Sequence, residues 1–217
     1  MLIRTLLSGG FNIDTLIYAT MTIAIVIISL SVHELSHGFA AWKLGDPTAK
    51  YDGRLSLNPL HHLDPWGTLS MLFFGFGWAK PVMINPNYFK KLRRDTALVS
   101  LAGPLSNFLL AFVGMFGLLY LYPLTKSIYV FEFFSIWVIA NISLGVFNLI
   151  PVPPLDGSKI FLSLLPRKMY YEILRYEQFG FIILVIALYL NVLDPILDFF
   201  INGIYRILFY AAGGGLL

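Results

Sequence analysis

Residues 15–32 form a run of 18 residues without a single charge, and helical character continues from there to Trp42. No other feature constrains the fold as strongly. About 20 apolar residues are what an α-helix needs to cross a hydrocarbon core of about 30 Å. Inside that core the backbone must satisfy its own polar groups, and a helix does so within one segment. Residues 96–121 form a second uncharged run, with Pro104 inside it, and residues 133–150 a third. Residues 179–193 form a shorter fourth. Residues 199–213 are interrupted by Arg206 and fit either a further span or a helix lying in the interface.

Composition agrees. Only 12 % of the 217 residues are charged, against about a quarter in a soluble domain, and the mean hydropathy is +0.75. The expected fold class is an all-α polytopic membrane protein. Its core is three transmembrane helices, at about 15–43, 96–121 and 133–150, with one or two C-terminal helices after them. Residues 1–217 read as one membrane-embedded domain, without internal repeats or low-complexity tracts. Asp14 is placed to cap the first helix, and Gly45, Asp46 and Pro47 to end it. No basic leader or small-residue cleavage site frames that helix, as a removable signal peptide would require.

The segment between the first two spans has a different character. "RLSLN", residues 54–58, alternates as a short strand does. Residues 64–81, "DPWGTLSMLFFGFGWAKP", are apolar but broken by Gly75, Gly77 and Pro81. Irregular backbone at membrane depth survives only where protein or water covers it. A short re-entrant β-hairpin or loop against the helices is therefore expected here. An exposed edge at 54–58 would suit pairing with an unwound peptide.

A net charge of +3 is too small to point to nucleic acid. Lys50, Arg54, Lys80, Lys90, Lys91, Arg93 and Arg94 lie between the first two spans, and Lys159, Arg167, Lys168 and Arg175 follow the third. The loop between the second and third spans holds only Lys126. This alternation places the basic loops in the cytoplasm and the N-terminus outside. The absence of cysteine excludes disulfides, thiolate catalysis and thiolate metal ligands.

Chemistry enters with "SVHELSHGFA", residues 31–40. His33 and His37 are four apart and so share one helix face, a spacing at which two imidazoles can bind one zinc ion. Glu34 stands beside them, as the general base does in HExxH metallopeptidases. Ionisable groups inside a span are costly and mark function by default. The blander alternatives are a polar helix end, or histidines that only hydrogen-bond within the bundle. A catalytic zinc needs a third protein ligand. His61 and His62 are adjacent in a loop and fit poorly. Asp156, in "FNLIPVPPLDGSKI", lies at the same end of the third span. Pro151, Pro153 and Pro154 prevent the helix from continuing, so an extended segment is expected to lead to it. Asp156 could equally cap the next helix.

"HELSH" in the first span and "NLIPVPPLDG" after the third, together with "GFGWAKPVMINP" and "AGPLSNF", resemble the site-2 protease family of intramembrane zinc metalloproteases. The likeness is to the compact form without an inserted PDZ domain or an appended CBS domain. It implies one zinc ion per chain on His33, His37 and Asp156, with Glu34 as catalytic acid and base. It implies that Asn148 contacts the substrate backbone or the developing oxyanion, and that Asn107 does similar work; Asn107 equally fits a hydrogen bond between helices. The partners implied are the lipid bilayer and a transmembrane segment of a membrane-protein substrate, in a prokaryotic cell membrane with the site towards the cytoplasm. The rival readings are an inactive zinc-binding chaperone of membrane segments and a metal transporter. The sequence leaves the oligomeric state and the physiological substrate open.

Overall fold

The computed structural model describes residues 12–64, 66–67, 80–166, 169, 172–173 and 177–215. Six helices are named here: α1 Ile13–Lys43, α2 Leu92–Phe116, α3 Ile128–Asn148, α4 Asp156–Leu162, α5 Glu177–Tyr189 and α6 Asp194–Ala211. Among the described residues there is no strand, only an isolated bridge at Leu63. The fold is all-α.

Three helices are long and apolar enough to cross a membrane: α1, α2 with its continuation to Thr125, and α3. At 31 residues, α1 is about 46 Å long, so it overshoots a hydrocarbon core of about 30 Å. Asn12 rather than Asp14 caps it. The Asn12 side chain accepts from the Asp14 N–H, and Asp14 sits in the first turn, where its charge favours the helix dipole. The other end closes at Leu44 and at Gly45, whose φ of +107° suits glycine.

Helix α2 is the centre of the bundle, packed against both α1 and α3. Small residues let it come close. Gly145 on α3 faces the Phe108 ring, and Gly114 on α2 faces Trp137, as expected where helices associate without a hydrophobic drive between them. The Trp137 indole N–H donates to the Leu110 carbonyl at 2.8 Å. Ala111, Met115, Val138, Ile142 and Val146 form the buried seam, and the apolar face of α6 lies over it. At the far end, Tyr129 on α3 donates to Asp14 on α1. Those two helices therefore run in parallel, with α2 opposite.

Helices α5 and α6 meet at 84°. The chain breaks at Tyr189, Asn191 takes a positive φ of 54°, and a new helix opens at Asp194 with Pro195 in its first turn. The expected fourth and fifth segments thus form one bent pair.

The strand expected at 54–58 does not form. Its polar groups are used locally. The Arg54 guanidinium donates to the His61 carbonyl, and the buried His62 Nε2 donates to the Ser56 carbonyl at 2.8 Å. His61 and His62 thus fold a turn, and the short helical turn Pro59–His61 is capped by Asn58. The apolar part of the expected hairpin, 68–79, lies outside the described residues. After it the chain runs without regular structure through 80–85. The Lys80 N–H donates to the His62 carbonyl, and the Asn85 N–H to the buried Asp46 carboxylate at 2.7 Å. Residues 151–155, expected to be extended, instead form bends and a turn with a cis Pro153–Pro154 bond, and Leu155 is extended where α4 begins.

Candidate metal centre

His33 and His37 project from one face of α1 towards α2, and Asp156 reaches them from the first turn of α4. The two imidazole Nε2 atoms are 3.0 Å apart, and the Asp156 Oδ2 lies 3.1 Å from each. All three residues are buried, at 4, 6 and 8 % exposure. Asp156 makes no helix cap, so its carboxylate is committed to the histidines.

The other ring nitrogens decide what this triangle can bind. The His37 Nδ1 donates to the Val99 carbonyl at 2.7 Å, and a carbonyl can only accept. The His33 Nδ1 faces the Asn107 Oδ1 at 2.7 Å. Both neutral rings therefore carry their proton on Nδ1 and turn a bare lone pair inward. Two lone pairs and a carboxylate oxygen then converge with no donor among them. Such a cluster requires a cation, either a metal ion or protons. Ligands at about 2.0–2.1 Å on a tetrahedral zinc ion stand about 3.3–3.4 Å apart, close to the spacing seen. Two imidazoles and one carboxylate are a zinc-type set with a fourth position open.

Burial pushes the Asp156 carboxyl up. The hydrogen bonds and charges of His33 and His37 more than offset this and hold it well below the usual carboxylate range.

Two glycines make the approach possible. A Cβ at Gly103 would sit 2.5 Å from the His37 Nε2 and 2.6 Å from the His33 Nε2. A Cβ at Gly157 would run into the Leu149 and Ile150 carbonyls at the end of α3. This packing sets the position of the neighbouring Asp156.

Glu34 lies beside the triangle and lines a cavity of about 330 Å³. The Val82 N–H donates to its Oε2 at 2.9 Å. The cavity has an apolar wall of Val82, Ile84 and Phe89 and a polar side with Asn148, Thr96, Ser100 and Lys159. The Asn148 Nδ2 donates to the Leu144 carbonyl at 2.9 Å, and Asn148 is one of the residues lining the cavity. Asn107 stands elsewhere, fully buried behind His33. Its amide hydrogens go to the Ser29 carbonyl and the Asn141 Oδ1, which leaves none for an oxyanion. Of the two roles expected for it, these contacts match hydrogen bonding between helices, with the His33 imidazole as one partner. Gly103 and Val82 lie in the motifs "AGPLSNF" and "GFGWAKPVMINP" without an individual role to mark them, and Val99 and Asn141 lie outside the motifs. Only Asn141 left a side-chain signal: a second amide in an apolar span, seven residues before Asn148 and so on the same side of the helix.

Fold and site together define a multi-pass membrane protein with a zinc-type metal site and the Glu34 carboxylate at its edge. The chain belongs to peptidase family M50, the site-2 protease family. The description Peptidase family M50 matches residues 122–190, which contain Asn148 and Asp156. "Putative zinc metalloprotease YwhC" of Bacillus subtilis is 44 % identical over 167 residues, covering 74 % of this chain and 76 % of that protein. "Putative zinc metalloprotease Rip2" of Mycobacterium tuberculosis is 30 % identical over 214 residues, covering 94 % and 80 %. "Putative zinc metalloprotease MJ0611" of Methanocaldococcus jannaschii is 31 % identical over 155 residues, covering 66 % and 73 %. No solved structure matches the chain. The protein is a multi-pass membrane protein with a zinc-type site.

Proposed function

We propose that this protein hydrolyses peptide bonds within or beside the transmembrane segments of other membrane proteins. The observation that carries this is Glu34. Its carboxylate shares a cavity with three inward-facing ligand atoms, and zinc storage or transport would not require it there.

His33, His37 and Asp156 would hold the zinc ion. Zinc supplies Lewis acidity, acidifying water and polarising the scissile carbonyl. Glu34, oriented by the Val82 N–H, takes the proton from water and returns it to the leaving amine. Asn148 has an amide at the cavity wall and donates to the substrate backbone or to the oxygen on which charge develops. A helical substrate must unwind first, because its carbonyls are already bonded. The substrate class follows from the setting, since a site between membrane-crossing helices meets membrane-embedded segments first. Lys50, Arg54, Lys80, Lys90, Lys91, Arg93 and Arg94 connect the spans at the metal end, against Lys126 alone at the other. By the positive-inside rule the metal end faces the cytoplasm.

The test is Glu34→Gln in purified protein with a transmembrane reporter peptide. Wild type should cleave, and the variant should keep its zinc and lose activity by roughly 10²–10⁴-fold. A variant that cleaves normally, or a wild type that moves zinc across vesicles and cleaves nothing, would refute the reading.

A further inference from the structure

The metal group is tied to a part of the bundle that the chemistry does not touch. The Asn107 Oδ1 lies 2.7 Å from the His33 Nδ1. Its Nδ2 donates to the Ser29 carbonyl on α1 at 3.3 Å and to the Asn141 Oδ1 on α3 at 3.1 Å. The Asn141 Nδ2 donates in turn to the Trp137 carbonyl at 2.9 Å. Both amides are fully buried. One hydrogen-bonded line thus joins three helices and ends on a ligand.

This line has a single allowed polarity. A carbonyl oxygen accepts and never donates. The Trp137 carbonyl therefore takes the amino side of Asn141 and turns its Oδ1 towards Asn107. Asn141 and the Ser29 carbonyl then take the amino side of Asn107 and turn its Oδ1 towards His33. An acceptor at that point keeps the ring proton on Nδ1 and leaves Nε2 bare. Were Asn107 reversed, it would present an N–H to Nδ1, the proton would move to Nε2, and His33 could not ligate. In a dry interior the reversed arrangement also leaves amide groups unpaired, which is costly.

We propose that Asn141 is a positioning residue for the metal centre, acting through Asn107 to fix the His33 tautomer and so the zinc affinity. This rests on the reading of His33, His37 and Asp156 as zinc ligands. Asn141 itself does not line the cavity.

The test measures zinc affinity by chelator competition, and the visible spectrum of bound cobalt, on the full chain in detergent. Asn141→Leu keeps the volume and removes the acceptor. It should weaken zinc binding by up to roughly 10–100-fold, the range for losing a ligand's own outer-shell partner, because the longer bond to the Ser29 carbonyl alone is left to orient Asn107. Asn141→Asp keeps an acceptor for Asn107, and in its protonated form an O–H for the Trp137 carbonyl. It should bind zinc and cobalt as wild type does. In an Asn107→Leu background, adding Asn141→Leu should cost no further affinity, because the link is already cut. A merely structural role would lower the melting temperature and leave metal affinity unchanged. Wild-type affinity in Asn141→Leu, or losses that add in the double variant, overturns the proposal. If Asn141→Leu does not fold, Asn141→Asp decides: near-wild-type affinity supports it, and a loss equal to that of Asn107→Leu overturns it. Equal zinc binding by wild type and His33→Ala would sink the underlying site assignment instead, whatever Asn141 does.

Discussion

Gly103 leaves His33 just enough room: a Cβ at position 103 would lie 2.6 Å from both the Nε2 and the Cε1 of that ring. The ring cannot step aside, because Asn107 holds its Nδ1 from behind. Helix α2 and the metal ligands are therefore fitted to each other at a point where only glycine serves. Gly103→Ala should weaken zinc binding by at least about tenfold. The helix itself gains, since alanine is the better helix former by about 1 kcal/mol. Zinc affinity and melting temperature, measured together, should move independently. Unchanged zinc affinity would mean that the imidazoles do not face α2 as described.

Gly157 makes the same demand on the third ligand. Its neighbours are the Leu149 and Ile150 carbonyls, which are backbone and cannot rotate away. Gly157→Ala should push the start of α4 off the end of α3 and carry Asp156 with it. Zinc content after dialysis should fall towards that of Asp156→Ala, while His33 and His37 stay in place. Full zinc retention would count against this packing.

The sequence made the long helices legible because an uncharged run of 18 residues has few other ways to satisfy its backbone in a membrane. It made the ligand types legible because zinc chemistry needs imidazole and carboxylate groups, which are conspicuous in apolar surroundings. Several things were hidden for physical reasons. Backbone groups carry no side-chain signature, so neither the Val99 carbonyl on His37 nor the Val82 N–H on Glu34 could be read. Alternation at 54–58 looked like a strand, but a strand needs a partner, and here Arg54 and His62 bind the nearby backbone instead. Asn12 took the cap expected of Asp14 because the two lie within one turn and only geometry separates them. Asn107 was conspicuous as a buried amide, yet its direction depended on Asn141, a residue on another helix.

Val82 offers a way to test the proposed role of Glu34 as base without touching the metal ligands. Its N–H is a donor that the structure aims at the Glu34 carboxylate, at 2.9 Å. Val82→Pro removes that donor and keeps an apolar group in a buried place. A hydrogen bond to a charged group contributes about 1.5–3 kcal/mol, so kcat should fall roughly 10–100-fold with zinc content unchanged. Val82→Ala, which keeps the N–H, should stay near wild type. Equal losses in both variants would assign the effect to side-chain packing on Gly38 rather than to the orientation of Glu34.

Acid should separate two contributions of Asp156. Its carboxyl is pushed up by burial but held well below its ordinary value by His33 and His37. A carboxyl depressed in the folded state stabilises the fold at every pH above its unfolded value of 3.8. That contribution is lost only as pH falls below 3.8, towards the folded value. Zinc should leave much earlier. Ligation needs unprotonated imidazoles, so added acid competes with zinc for the same nitrogens. Bound zinc, followed by a fluorescent chelator, should therefore be released before the pH reaches about 4. The difference in melting temperature between wild type and Asp156→Asn, both in excess chelator, should persist to about pH 4 and close below it. Zinc still bound at pH 4, or a difference already gone at pH 5, would contradict the assignment of the carboxylate and the two rings to one site.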